Sequence, residues 1–225
     1  MNLSAGSRYF DLSHVIDESL RTFPRPWHKN VQIETLGEID KVGRRTSQIS
    51  IGSHSGTHID APSHFLESGT TIEKLNLNHF IGRGRVILME NVPKKKEVNL
   101  NRLKEKLMHV KKFQGIFFNF GWGKNFESSE GYYNDQPWFN EDAANLILNL
   151  SPKIVGYDLA MPDNPLEGFG CNIDSPIHKI FLEQGIPLLE NAIFPEGFQG
   201  EVNYAAIPLN LSGLDGSPVR FVVWR

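Results

Sequence analysis

One stretch limits what this chain can become: Ser53-His54-Ser55-Gly56-Thr57-His58-Ile59-Asp60-Ala61-Pro62-Ser63-His64. Three histidines and one aspartate fall within eleven positions, at intervals of four, two and four. The first interval would put His54 and His58 on one face of a helix. Gly56 and Pro62 punctuate the run, and its Ser and Thr residues are poor interior helix formers, so a helix is not expected. The preceding Gln48-Ile49-Ser50-Ile51 alternates polar and apolar residues and reads as a half-buried strand. A strand therefore leads into an irregular loop, with His58 and Asp60 on one side where the chain is extended. Imidazole nitrogen and carboxylate oxygen are ligands that zinc or manganese accepts. One histidine alone would be an ordinary hydrogen-bonded loop residue, but four potential ligands in one window predict a metal site. A catalytic metal keeps a position open for water, and this stretch has at least one base to spare.

The rest of the chain narrows the setting. Its 225 residues, 40% of them apolar, suit a single domain over 1–225 with an ordinary core. The net charge of −3 and the brief Lys94-Lys95-Lys96 run, bounded by Pro93 and Glu97, argue against a nucleic-acid partner. The single cysteine, Cys171, excludes an internal disulfide and a cysteine-rich zinc site, and reads as a buried structural thiol. No apolar run approaches the roughly 20 residues of a membrane span, and the first residues lack a signal-peptide core. A cytoplasmic protein is the expectation. No G-x-S-x-G occurs, which disfavours a serine hydrolase.

Periodicity predicts a mixed α/β chain. Residues 31–37 and 47–52 read as paired strands around a charged turn at Asp40-Lys41-Val42-Gly43. Thr71 to Leu75 reads as a short helix, and Arg85 to Met89 as a buried strand. Leu100, Leu103, Leu107 and Val110 lie at helical spacing, and Asn140 can cap a helix from Glu141 to Leu150. Gly115 to Phe120 and Lys153 to Asp158 read as strands. Phe23-Pro24-Arg25-Pro26-Trp27-His28 is held extended by its prolines. Phe23, Trp27, Phe65 and Trp122 are candidates for an apolar wall against an aromatic substrate. Trp122, between two glycines, is the one expected to be exposed at a pocket mouth.

A second chemical signal is Asp174-Ser175-Pro176-Ile177-His178. Ser175 as N-cap and Pro176 at the first helical position predict a helix start, with Gly185 past its end. His178 then sits in the first turn, where the helix dipole disfavours its protonated form. Ile186-Pro187-Leu188-Leu189-Glu190 reads as the following strand, and a fold-back would bring Glu190 beside His178.

The His54–His64 stretch closely resembles the HxGTHxDxPxH signature of the cyclase family of metal-dependent hydrolases, which includes bacterial kynurenine formamidases. The likeness extends to Asp11-Leu12-Ser13-His14, Phe120-Gly121-Trp122-Gly123, the His178 and Glu190 pair, and Leu209 to Arg220. It implies a swivelling β/β/α fold, a compact barrel-like mixed sheet flanked by helices, as a homodimer or larger assembly. It implies His54, His58 and Asp60 as core metal ligands, with Asp60 bridging in two-metal members and His178 and Glu190 completing the second position. It also implies His64 as the general acid/base. One or two divalent ions, zinc first and manganese second, and a small aromatic carbonyl substrate follow from the same likeness. The implied activity is hydrolysis of a formamide or cyclic amide; a lactone hydrolase or a cyclase/lyase is the alternative within the family. A non-catalytic metal-binding protein is the alternative outside it, and would be expected to have lost His64. Asp158-Leu159-Ala160-Met161-Pro162-Asp163 and the segment 125–138 depart from the formamidases, which leaves the substrate open.

Overall fold

The computed structural model describes residues 8–127, 131–167 and 174–225. Cys171, read above as a buried thiol, lies outside them. Ten strands form: β1 (Tyr9–Asp11), β2 (Gln32–Gly37), β3 (Thr46–Ser50), β4 (His58–Asp60), β5 (Ile81–Leu88), β6 (Gly115–Asn119), β7 (Ile154–Tyr157), β8 (Leu188–Glu190), β9 (Gly200–Pro208) and β10 (Gly216–Trp224). Four α-helices accompany them among the described residues: α1 (Ile39–Val42), α2 (Leu100–Leu107), α3 (Glu141–Leu148) and α4 (Pro176–Leu182).

Eight strands make one mixed sheet in the order β1-β10-β4-β8-β7-β6-β5-β9, and β9 also pairs with β10, so seven of them close into a barrel. The β5 to β8 arc is parallel, while β4, β9 and β10 join it antiparallel. Closure removes free edges, which is how a short-stranded sheet avoids exposing unpaired backbone. Alternation along each strand sorts the side chains. Ile59, Phe117, Leu189, Tyr204 and Phe221 fill one core cluster, while Ile116, Phe118, Val155 and Leu188 face a second with the buried residues of α2, α3 and α4.

Local signals account for the helices. The Asn99 and Asn140 side chains accept the Arg102 and Ala143 N–H groups, capping α2 and α3. The expected cap of α4 is corrected: Ser175 adopts φ 52° and its side chain makes no cap bond. Asp163 takes that place, its Oδ1 accepting the Ile177 N–H at 2.6 Å and its Oδ2 the His178 N–H at 3.1 Å.

The pairing expected for 31–37 and 47–52 forms, as β2 against β3. The half-burial expected of β3 does not: every residue of it is exposed. The two strands make a separate sheet with no second layer, so alternation has no buried side to serve. Ile33, Leu36, Ile39, Val42 and Ile49 stand in the open on this hairpin.

Candidate metal centre

The register of β4 against β8 builds the centre. His58 is the Cα partner of Glu190 and Asp60 that of Leu188, so His58, Asp60 and Glu190 project from one face of this pair while Ile59 points into the barrel. Asp60 is 1% exposed, and His58, His178 and Glu190 are buried with it. His54 arrives on the loop after β3, and His64 on a 3-10 turn, Pro62–His64, that begins at the proline.

Each imidazole is oriented by an acceptor on its far side. His58 Nδ1 lies 2.8 Å from the Gly56 carbonyl oxygen, which only an N–H can satisfy. Its Nε2 faces the centre, 3.3 Å from Asp60 Oδ1 and 3.5 Å from Glu190 Oε2. His178 Nδ1 lies 2.5 Å from Asp163 Oδ2, leaving Nε2 at 3.2 Å from Glu190 Oε1 and 3.4 Å from Asp60 Oδ2. An outer acceptor fixing the ring tautomer is the usual support of a metal-ligating histidine. Gly56 has φ +61°, a backbone conformation that glycine takes without strain and that aims its carbonyl at His58. The Asn191 amide donates to the same carbonyl at 3.1 Å, and the Tyr157 hydroxyl donates to Glu190 Oε1 at 2.9 Å.

His54 faces two carboxylates, Nδ1 at 2.7 Å from Asp60 Oδ1 and Nε2 at 2.8 Å from Asp215 Oδ2. Both nitrogens carry protons in this arrangement. Burial opposes the charge, but Asp60 and Asp215 outweigh it and raise the His54 pKa to about 10. Asp60 is held well below the usual carboxylate range, its burial overcome by His54 and its hydrogen bonds to His178, His54 and His58. The dipole-based expectation for His178 is overturned. Burial works against its protonated form, yet hydrogen bonds to Asp163, Asp60 and Glu190 prevail and lift its pKa well above the ordinary value. His64 shifts the other way, lowered by burial and the neighbouring His54 charge against the pull of Asp215.

Among the described residues, two groups of ligand atoms, each within 4.8 Å of one another, emerge: His54, Asp60 and His64, and His58, Asp60 and Glu190. They share Asp60, and His178 adjoins the second. Nitrogen and carboxylate donors in this number, buried together with each imidazole oriented by an outer acceptor, fit one or two divalent ions. A cation binding there would displace protons that now occupy the imidazoles.

A cavity of about 210 Å³ opens onto the centre. Phe23, Trp27 and Phe65 line it; Trp122 does not. The mouth position expected for Trp122 is corrected: it is buried, its Nε1–H donating to the Tyr132 carbonyl at 3.0 Å. The flanking glycines serve instead to bring the Trp122 and Gly123 N–H groups onto Asp158 Oδ2, at 2.6 and 3.1 Å. Burial raises Asp158 to about 6 against those bonds.

Several residues of the centre carried no local signal: Asp163, Asp215, His28, Tyr133 and Met161. His28, Tyr133 and Met161 belong to the cavity wall. Burial, with the neighbouring histidines led by His54, lowers His28 to about 4. The Gln136 side chain, fully buried, donates to the Met161 carbonyl and accepts the Ala160 N–H, both at 2.8 Å. It thereby ties together the two stretches that depart from the formamidases.

Comparison with known proteins agrees with this geometry. The family described as putative cyclase matches residues 10–164. Kynurenine formamidase of Bacillus thuringiensis (strain Al Hakam) is 28% identical over 225 residues, covering 96% of this chain and 97% of the relative. The kynurenine formamidase of Geobacillus thermodenitrificans (strain NG80-2) is 29% identical over 213 residues, with 94% and 95% covered. Among solved structures, isatin hydrolase A from Labrenzia aggregata superposes with a TM-score of 0.81 at 19% identity, over 97% of this chain and 93% of that one. A potential metal-dependent hydrolase with cyclase activity gives 0.75 at 22%, over 97% and 98%. The barrel is thus one that such hydrolases share, and the chain belongs to the cyclase family.

Proposed function

We propose that this protein is a metal-dependent amidohydrolase that cleaves the C–N bond of a formamide or cyclic amide on an aromatic ring. The observation that carries the reading is the convergence of His54, His58, His178, Asp60 and Glu190 beneath a small aromatic-walled cavity. We assign His54, His58, Asp60, His178 and Glu190 as the ligands, with Asp60 common to two positions. Zinc is the first choice for this mixed nitrogen and oxygen set and manganese the second. A divalent ion held there would supply Lewis acidity, lowering the pKa of water toward neutrality.

The chain's own residues do the rest. Phe23, Trp27 and Phe65 supply an apolar surface for an aromatic ring and exclude water around the carbonyl. We assign His64 as the general acid/base: it accepts a proton from the attacking water and returns it to the leaving nitrogen. Such a role is worth about 10²–10⁴-fold. Elemental analysis of protein purified without chelator, followed by turnover of N-formylkynurenine, isatin and simple lactones, tests the reading. Hydrolysis abolished by chelation and restored by zinc or manganese supports it, and metal-independent turnover refutes it. Hydrolysis confined to lactones would favour the ester-cleaving alternative.

We infer also that the chain works as a homo-oligomer. The unlayered β2–β3 hairpin supports this, since a two-stranded sheet exposed on both faces is marginal by itself. Its apolar residues alternate with Glu34, Glu38, Asp40, Lys41, Arg44 and Arg45, a balanced charge set that suits pairing with a second copy.

A further inference from the structure

Asp215 ends the loop before β10 and belongs to neither ligand group, yet its carboxylate touches three residues of the centre. Oδ1 accepts the Ser53 hydroxyl at 3.0 Å, while Oδ2 lies 2.8 Å from His54 Nε2 and 3.1 Å from His64 Nδ1. The backbone places it without slack. Gly216 is the Cα partner of Asp60 across β10 and β4, and the Asp215 carbonyl accepts the Ala61 N–H at 2.8 Å. Asp215 is therefore held between the strand that carries Asp60 and the turn that carries His64.

We propose that Asp215 is the positioning residue of His64: by accepting a hydrogen bond from Nδ1–H it fixes the tautomer whose Nε2 lone pair serves as the base. The proposal rests on the hydrolase reading above. A carboxylate accepts only, so the proton of a neutral His64 must reside on Nδ1. Nε2 is then free to take a proton from water as its oxygen bonds to the carbonyl carbon. The C–N bond breaks as Nε2–H returns that proton to nitrogen, giving an amine and a carboxylic acid. The same outer carboxylate logic operates in hydrolytic triads, where replacing it by an amide leaves the geometry but selects the wrong tautomer.

The test compares wild type with Asp215→Asn, Asp215→Glu and His64→Ala at matched zinc occupancy, on formanilide and on phenyl formate. Phenoxide leaves without a proton, whereas anilide does not. D215N is expected to lose at least about 10²-fold in kcat on formanilide with KM within about threefold, and to lose at least about tenfold less on phenyl formate. D215E, which keeps the carboxylate, should recover at least about tenfold over D215N. In the H64A background D215N should add less than about threefold, because the two act as one unit. Equal losses on both substrates, or an additive cost without His64, overturn the proposal. Nitrogen-15 NMR of the His64 ring in metal-free protein gives a readout independent of activity: Nδ1–H in wild type, displaced toward Nε2–H in D215N. An unchanged tautomer also overturns it. A wild type inert toward both substrates would instead refute the hydrolase reading, and the NMR comparison would still decide the role of Asp215.

Discussion

His58 and Glu190 face each other across the β4–β8 ladder as Cα partners, with the imidazole Nε2 3.5 Å from Oε2. At that distance they are neither well hydrogen-bonded nor apart, and a shared cation is what such a gap accommodates. Glu190→Gln keeps the shape and the Tyr157 contact while removing the charge. Zinc content of the purified variant is expected to fall to well under half of wild type by elemental analysis, with Asp60→Ala losing more because both groups of ligand atoms use it. Full occupancy in either variant would contradict the ligand assignment.

Asp163 reaches His178 from outside the ligand set, through Nδ1 and through two backbone N–H groups of α4. Asp163→Asn preserves one acceptor for the helix but no longer favours the Nδ1–H tautomer. Removing such an outer partner typically weakens metal binding by about 10–100-fold. Competition against a chelator of known affinity measures this, and the helix should persist by circular dichroism.

Gly216 lies where β10 passes closest to His54. A Cβ there would sit 2.7 Å from the Ile59 carbonyl oxygen and 2.8 Å from His54 Cε1. Gly216→Ala is expected to destabilise by about 1–3 kcal/mol, as overpacking does, and to displace His54 from Asp215. A lowered melting temperature together with reduced zinc content is the expected pair of results.

His14 supplies a pH dependence. Its ring stacks on Phe126 at 4.0 Å between centroids, its Nε2 is buried without a hydrogen bond, and burial lowers its pKa from 6.5 to about 4. The unfolded chain therefore binds the proton more tightly than the native one. The stability tied to neutral His14 is complete above 6.5 and is lost as the pH falls through about 4. His14→Phe keeps the stacking and removes the titration. At pH 4.5 the variant should be spared roughly 2 kcal/mol of the loss that wild type suffers relative to pH 7, measured by denaturant unfolding at both values.

The exposed hairpin makes its own prediction. Leu36 and Ile39 are 58% and 66% exposed on β2 and α1. Replacing both by Glu should shift the mass measured by light scattering from an oligomer to a single chain, with zinc content unchanged. A wild-type mass of a single chain would refute the proposed assembly, and an unaltered oligomer mass in the variant would refute the hairpin as its interface.

What could be read in the sequence was local. Asn140 announces its helix because a cap needs only the next three residues, and Leu100, Leu103 and Leu107 announce theirs by their spacing. His58 and Asp60 announce a shared face because a strand alternates. The partners of Asp163 and Asp215 lie 15 and as many as 162 positions away, so no spacing marks either aspartate as part of the centre. The family likeness reached the segment holding Asp215 without giving it a task. β3 departs from its half-buried expectation for a related reason: alternation states that a strand has two faces, not that anything covers one of them.

Gln136 clasps Ala160 and Met161 by a single amide in a dry interior, while Tyr133 and Met161 shape the cavity beside it. Exchange of the 131–139 loop alone would strand a backbone donor and a carbonyl, at about 1–3 kcal/mol each. Reshaping this cavity must therefore swap both loops together, as one interchangeable part.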